Sequence, residues 1–257
     1  MLGAIAGDII GSQFEKHNYL GKDFDLFNRF SHFTDDTVLT VATAYALHHD
    51  RDYALAYRLF FYKHPHRGYG PNFRQWAAGR ISNPTSQGNG AAMRVSPIGW
   101  AFDTLEEALD EARRSASVSH NSEQAIVGAQ SIAEAIFLAR TGLGIDEIKQ
   151  AIERRYGYLF YRSIDQLRGK VKGCLSQDTV PAALQSLFES TSFEDAIRNA
   201  VSIGGDSDTI AAIAGSIAEA LYGIPDDIQR QVMDRLESGL AEEVLCFKKL
   251  TKRNCLK

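Results

Sequence analysis

The chain has 257 residues, 44% hydrophobic and 23% charged, with a formal net charge of −4. That length and composition suit a single globular domain, 1–257, with a sizeable core. The acidic balance speaks against a nucleic-acid partner, and no run approaches the roughly 18 apolar residues that a membrane span needs.

The first stretch, "MLGAIAGDIIGSQFE", is apolar but carries no basic leader, and Asp8 splits it. It is expected to be a structural helix rather than a signal peptide. Gly3, Gly7 and Gly11 recur every four residues, a spacing that lets a second helix approach closely. Asp8, Gly11 and Glu15 fall on one face of that helix. Next comes "FTDDTVLTVATAYAL", residues 33 to 47, where Thr34, Asp35 and Asp36 stand before a helix with Val38, Val41, Ala42, Tyr45 and Ala46 on its apolar positions. "KHPHRGYGPNFRQW", residues 63 to 76, reads as a connecting loop, or as a lid that touches a ligand.

"PTSQGNGAAMRVSPIGW", residues 84 to 100, holds Ser86, Gly88, Asn89 and Gly90 in a small polar loop. Such loops can turn backbone N–H groups toward a phosphate. Thr104 with Glu107 opens the next helix. His120 then precedes "NSEQAIVGAQSIAEAIFLARTG", in which Asn121 is the expected cap, Gln124 its capping-box partner and Gly142 the stop. Pro181 fits a first helical position in "VPAALQSLFES", and Ser192 with Asp195 opens "SFEDAIRNAVSI". In "GGDSDTIAAIAGSIAEAL", residues 204 to 221, Ile210, Ile213, Ala214, Ile217, Ala218 and Leu221 keep helical spacing behind Asp206 and Asp208. The basic tail "KKLTKRNCLK" reads as a solvated helix end. Alternating strand patterns are scarce. The expectation is an all-α fold of about ten helices. Three cysteines, Cys174, Cys246 and Cys255, form no CxxC pair and suggest a reducing, cytoplasmic setting.

Two acid clusters stand before helices that read as buried. Either cluster alone is explained by capping, since Thr and Asp are preferred there. Both together call for more. Glu15, Asp35, Asp36, Asp206 and Asp208, converging in a core, would repel one another unless protonated or neutralised by cations. Oxygen ligands favour Mg²⁺, Mn²⁺ or Ca²⁺, and no His/Cys spacing suggests zinc. Two divalent ions about 3.5–4 Å apart would form a hydrolytic centre, with Thr34 and Thr209 as neutral ligands.

Five stretches in order, "GAIAGDIIGSQFE", "FTDDT", "GNGAAMRVSPIGW", "SHNSEQAIVGAQ" and "GGDSDTIAAIAGSIAEALYG", resemble the ADP-ribosylglycohydrolase family, which includes the dinitrogenase reductase-activating glycohydrolase. The resemblance implies an all-α fold with two Mg²⁺ or Mn²⁺ ions in a central cleft. It implies that Thr34, Asp35, Asp36, Asp206, Asp208 and Thr209 are metal ligands, and that Glu15 reaches the metals or guards the cleft. It implies that Ser86, Gly88, Asn89 and Gly90 hold the ADP-ribose diphosphate and ribose, with His120 near the adenosine. The implied reaction is hydrolysis of the bond from ribose to a modified acceptor, with Glu15 or Asp36 taking the proton. The implied partner is an ADP-ribosylated protein or a small ADP-ribose conjugate, acted on by a monomer. Two other readings stay open: a metal-dependent phosphohydrolase, and a module that binds ADP-ribose without cleaving it. The "DDxxD" pattern of prenyl-diphosphate enzymes is absent, since Thr37, Val38 and Leu39 follow Asp36.

Overall fold

A computed structural model describes residues 1–254. Its helices are α1 (Leu2–Gly11), α2 (Asp35–Leu47), α3 (Tyr53–Lys63), α4 (Pro71–Ala77), α5 (Gly90–Met93), α6 (Ser96–Ala101), α7 (Leu105–Ser117), α8 (Glu123–Arg140), α9 (Ile145–Tyr156), α10 (Ile164–Leu167), α11 (Ser176–Phe188), α12 (Phe193–Ile203), α13 (Ser207–Tyr222), α14 (Asp226–Met233) and α15 (Ser238–Asn254). Among the described residues there is no strand, only two isolated β-bridges, Thr85 with His120 and Gly88 with Leu175. The all-α expectation holds. Among the described residues the α-helices number fifteen rather than about ten. Elements such as α5 and α10 are single turns, too short to display a period.

α1 and α13 form the centre. Every residue of α1 is buried, and so are Ser207 through Ala218 of α13. A helix that is apolar all round belongs in a core. The glycine spacing of α1 is what lets the two axes meet. A methyl group on Gly7 would lie 2.0 Å from the Ala211 carbonyl oxygen, and one on Gly3 would lie 2.2 Å from that of Gly215. The third, Gly11, faces Asp208 and accepts the Ser207 hydroxyl at 3.2 Å. Around this pair α13 also packs on α8, α11 and α12, while α2 lies against α1, α3 and α15.

Several local expectations need correction. Thr104 and Ser192 do cap their helices, accepting from the Glu107 and Asp195 amides. Asn121, however, is not the cap of α8. Its N–H donates to the Pro84 carbonyl at 2.9 Å beside the Thr85–His120 bridge, and Ser122 caps instead, accepting from Ala125. Gln124 therefore sits one place early for a capping box. Pro181 lies inside α11, which starts five residues earlier. The carbonyl that loses its partner there belongs to Gln177, an exposed residue, so water can satisfy it. The loop expected over 63–76 spans only 64–70, because α3 runs to Lys63 and α4 starts at Pro71. The basic tail continues α15 to Asn254, and Cys255 lies outside the described residues.

Candidate active site

One cleft of about 390 Å³ opens beside the α1–α13 crossing. α2 begins at its edge. Thr34 is the cap, its hydroxyl accepting from the Asp36 amide at 3.3 Å. The surprise is Asp8. This fully buried carboxylate, in the middle of α1, accepts from the Thr34 amide (2.9 Å), the Thr34 hydroxyl (2.8 Å), the Thr37 amide (3.0 Å) and the Thr37 hydroxyl. It satisfies the start of α2 from a neighbouring helix. Sequence spacing places Asp8 on a helical face without assigning it a task. The available signal was an acid isolated in an otherwise apolar helix.

Asp35 is held through its backbone, its N–H donating to the Arg67 carbonyl at 2.6 Å. Asp36 points inward and is 3% exposed. Its Oδ2 accepts the Thr209 hydroxyl at 3.2 Å, a bond between the two acid clusters across 173 positions of sequence. Its Oδ1 is buried with no partner. The second cluster is aimed by Gly204 and Gly205. Both have positive φ, +76° and +80°, where a side chain would be strained. That turn delivers Asp206 as the N-cap residue of α13, and Asp208 one residue into the helix.

Asp35, Asp36, Asp206, Asp208 and Thr209 all line the cleft, with Glu15 at the rim. Thr34 does not line it, since its hydroxyl is turned to Asp8. Glu15 does not share the α1 face with Asp8 as expected. The α-helix stops at Gly11, Ser12–Phe14 form a 3-10 turn, and Glu15 follows as an exposed residue.

The electrostatics are severe. Burial pushes the Asp36 carboxyl well above the usual range, and the charges of Asp208 and Asp8 push it further. Burial followed by Asp206 does the same to Asp208, and burial followed by Asp8 to Asp35. Asp206 is also raised by burial, although Asn89 Nδ2 donates to it at 2.7 Å. Among the described residues, no three His, Cys, Asp or Glu side chains stand preassembled around one point. The donors present nonetheless suit a hard divalent cation. They are carboxylate and hydroxyl oxygens, mutually repelling, and one buried oxygen lacks any partner.

Ser86, Gly88, Asn89, Gly90 and His120 line the same cleft. The glycine loop is braced from both sides. The Asn89 amide donates to the Cys174 carbonyl (2.8 Å), and the Ser176 amide to the Gln87 carbonyl (2.9 Å). The Gly88 amide donates to the Ser86 hydroxyl at 3.2 Å. The amides of Gly88 and Asn89 are thus already committed, which narrows the expected backbone cradle. From the 63–76 stretch, Gly68, Gly70, Asn72 and Phe73 also line the cleft. Sequence reasoning missed Cys174 and Leu175, which also border the cleft.

An all-α bundle with a buried carboxylate cleft facing a glycine-rich loop is the class that this geometry defines. The profile of the ADP-ribosylglycohydrolase family matches residues 1–254, and the chain belongs to that family. It is 30% identical over 176 residues to the ADP-ribosylarginine hydrolase Tri1 of Pseudomonas putida, a match covering 63% of this chain and 47% of that protein. It therefore spans about half the length of that relative. The human ADP-ribosylhydrolase ARH3 is 26% identical, with 95% of this chain and 91% of ARH3 covered. The ADP-ribosyl-[dinitrogen reductase] glycohydrolase of Rhodospirillum rubrum is 28% identical over 177 residues, 65% of this chain and 57% of that protein. A solved structure titled "ADP-ribosylglycohydrolase-related protein complex" superposes with a TM-score of 0.73 at 22% identity, covering 97% of each chain, and so shares the fold.

Proposed function

We propose that this chain is a metal-dependent hydrolase that cleaves the glycosidic bond between ADP-ribose and a modified acceptor, a protein side chain or a small conjugate. The observation that carries this reading is the Thr209–Asp36 hydrogen bond, which closes the two acid clusters around one cleft that the glycine loop also lines, Asn89 reaching Asp206. Asp35, Asp36, Asp206 and Asp208, with Thr209, would hold two Mg²⁺ or Mn²⁺ ions, and Thr34, whose hydroxyl is turned to Asp8, drops out of the expected ligand set. When bound, such a pair would supply Lewis acidity toward the sugar hydroxyls and the attacking water.

The chain's own residues do the rest. Ser86, Gly88, Asn89, Gly90 and His120 bind the ADP-ribose and point its ribose at the carboxylates. Positive charge developing on the sugar is favoured beside Asp35, Asp36, Asp206 and Asp208. Asp36, through its unpartnered Oδ1, or Glu15 at the rim accepts the proton of the attacking water. Leu39, Phe73 and Met93 keep one side of the cleft apolar. The protein works as one domain and as a monomer, in the cytoplasm. Among the described residues, no helix is long and apolar enough to cross a membrane.

A panel of defined conjugates, linked through arginine, serine or O-acetyl groups, tests the reading with Mg²⁺ and with chelator. Free ADP-ribose released only with metal is the expected result. Released phosphate would identify a phosphohydrolase, and tight ADP-ribose binding without turnover would identify a binding module.

A further inference from the structure

Among the described residues Arg94 is the largest fully buried side chain, 0% exposed, and the carboxylate charge that acts on it, that of Asp35, makes no ion pair with it. Its guanidinium lies 4.0 Å over the Tyr57 ring, and its Nε and Nη1 have no partner. Among the described residues its hydrogen bonds to serines run through Nη2. It donates to the Ser115 carbonyl at 3.0 Å and to the Ser119 hydroxyl at 2.8 Å. Ser119 Oγ in turn lies 2.8 Å from His120 Nδ1. A buried arginine placed at the end of such a chain invites an account of its direction.

That direction follows from the donors. A guanidinium can only donate, so Ser119 Oγ accepts from Arg94. Ser119 is 1% exposed, and its hydroxyl has no third partner among the described residues. Its O–H proton must therefore go to His120 Nδ1. The opposite arrangement, Nδ1–H donating to Ser119, would leave a buried O–H with no acceptor, which interiors avoid. Nδ1 is consequently bare, and the ring proton sits on Nε2. That nitrogen faces the glycine loop. A methyl group on Gly90 would lie 2.7 Å from it, and one on Gly88 3.8 Å. His120 lines the cleft, and among the described residues its Nε2 has no protein partner.

We propose that Arg94 and Ser119 are positioning residues, a buried relay that locks His120 in the Nε2–H tautomer so that the cleft presents one directed N–H donor to a ligand oxygen held at the Ser86–Gly90 loop. The ligand part rests on the function proposed above, under which that oxygen belongs to ADP-ribose. The relay itself does not. Burial, and then the charge of Arg94, holds the ring well below the usual histidine range, so the donor is a neutral imidazole at neutral pH. The missing side chains at Gly88 and Gly90 leave the N–H room to be reached.

The test is long-range ¹H–¹⁵N correlation of the histidine rings in the ligand-free, ¹⁵N-labelled protein at neutral pH. The expected pattern for His120 is a bare Nδ1 and a protonated Nε2. Ser119→Ala should shift that pattern toward mixed tautomers or Nδ1–H. It should also weaken ADP-ribose binding about fivefold, with the far-UV spectrum unchanged. A wild-type ring protonated at Nδ1, or an Nε2–H tautomer untouched by Ser119→Ala, overturns the relay. The wild-type spectrum decides the tautomer even where the variant fails to fold. Failure of ADP-ribose to bind the wild-type protein would overturn the ligand assignment and the proposed function, and would leave the tautomer result standing.

Discussion

Replacing Asp8 with alanine would remove four hydrogen bonds at once, and the consequence can be worked out from the site. The Thr34 and Thr37 amides would lose their acceptor while staying buried. Each orphaned donor costs about 1–3 kcal/mol. The two hydroxyls can rotate toward other acceptors, so they add less. Against this, Asp8 raises its neighbours Asp35, Asp36 and Asp208, and deleting its charge relieves them. The amides decide the sign, because no rotation rescues them. The net expectation is a loss of roughly 4 kcal/mol. At about 2–4 °C per kcal/mol for a chain of this size, the melting temperature should fall by about 8–16 °C. Asp8→Asn keeps one acceptor oxygen and should fall between the variant and the wild type. Thermal unfolding by far-UV circular dichroism in chelator reads the effect without any metal contribution. A drop smaller than about 2 °C for Asp8→Ala, or a rise, would refute the view that Asp8 secures the start of α2.

Three further outcomes are expected. Asp208→Asn should keep the start of α13 and leave metal-free stability level or higher, since a repelling charge is gone. Its Mg²⁺-induced rise in melting temperature should shrink and ADP-ribose release should fall by orders of magnitude; a variant that keeps both has lost only a helix-end charge. Gly7→Ala drives a methyl group into the Ala211 carbonyl and should destabilise by about 1–3 kcal/mol; an unchanged denaturation midpoint would mean that α1 and α13 do not cross so closely. His120 has its pKa held below the unfolded value of 6.5. Its neutral form therefore contributes stability that is fully present above that value and is lost as pH falls through and below it. Its ring resonances should stay flat from about pH 8 to 6, and an inflection near 6.5 contradicts this.

Local chemistry was readable from sequence wherever one helix decides its own end. Thr104 and Ser192 cap as their spacing implies, and the small-residue helices do meet in the core. The two acid clusters do share a cleft, because a carboxylate before an all-round apolar helix has nowhere else to go. What stayed hidden depends on partners far along the chain. Asp8 serves α2, not its own helix. Ser122 displaces Asn121 as a cap because the Pro84 carbonyl claims the Asn121 amide. Pro181 sits inside α11 because the bond from Ser176 to Gln87 lets that helix begin early. Arg94 looked like any basic residue, since sequence does not reveal that a guanidinium will be buried without an acid.

The meeting of Gly7 with Ala211 also sets an order in time. On a ribosome making about 5–20 residues per second, α1 emerges on the order of 10–40 s before α13 is complete. For that interval α1 has α2 beside it but lacks α13, the helix on which it packs most closely. A fragment ending before Ser207 should accordingly be cut by protease within α1, where the full chain resists. Nascent chains thus carry the first acid cluster well before the second, and a stop codon ahead of Asp206 removes the partner of α1 and the second acid cluster together.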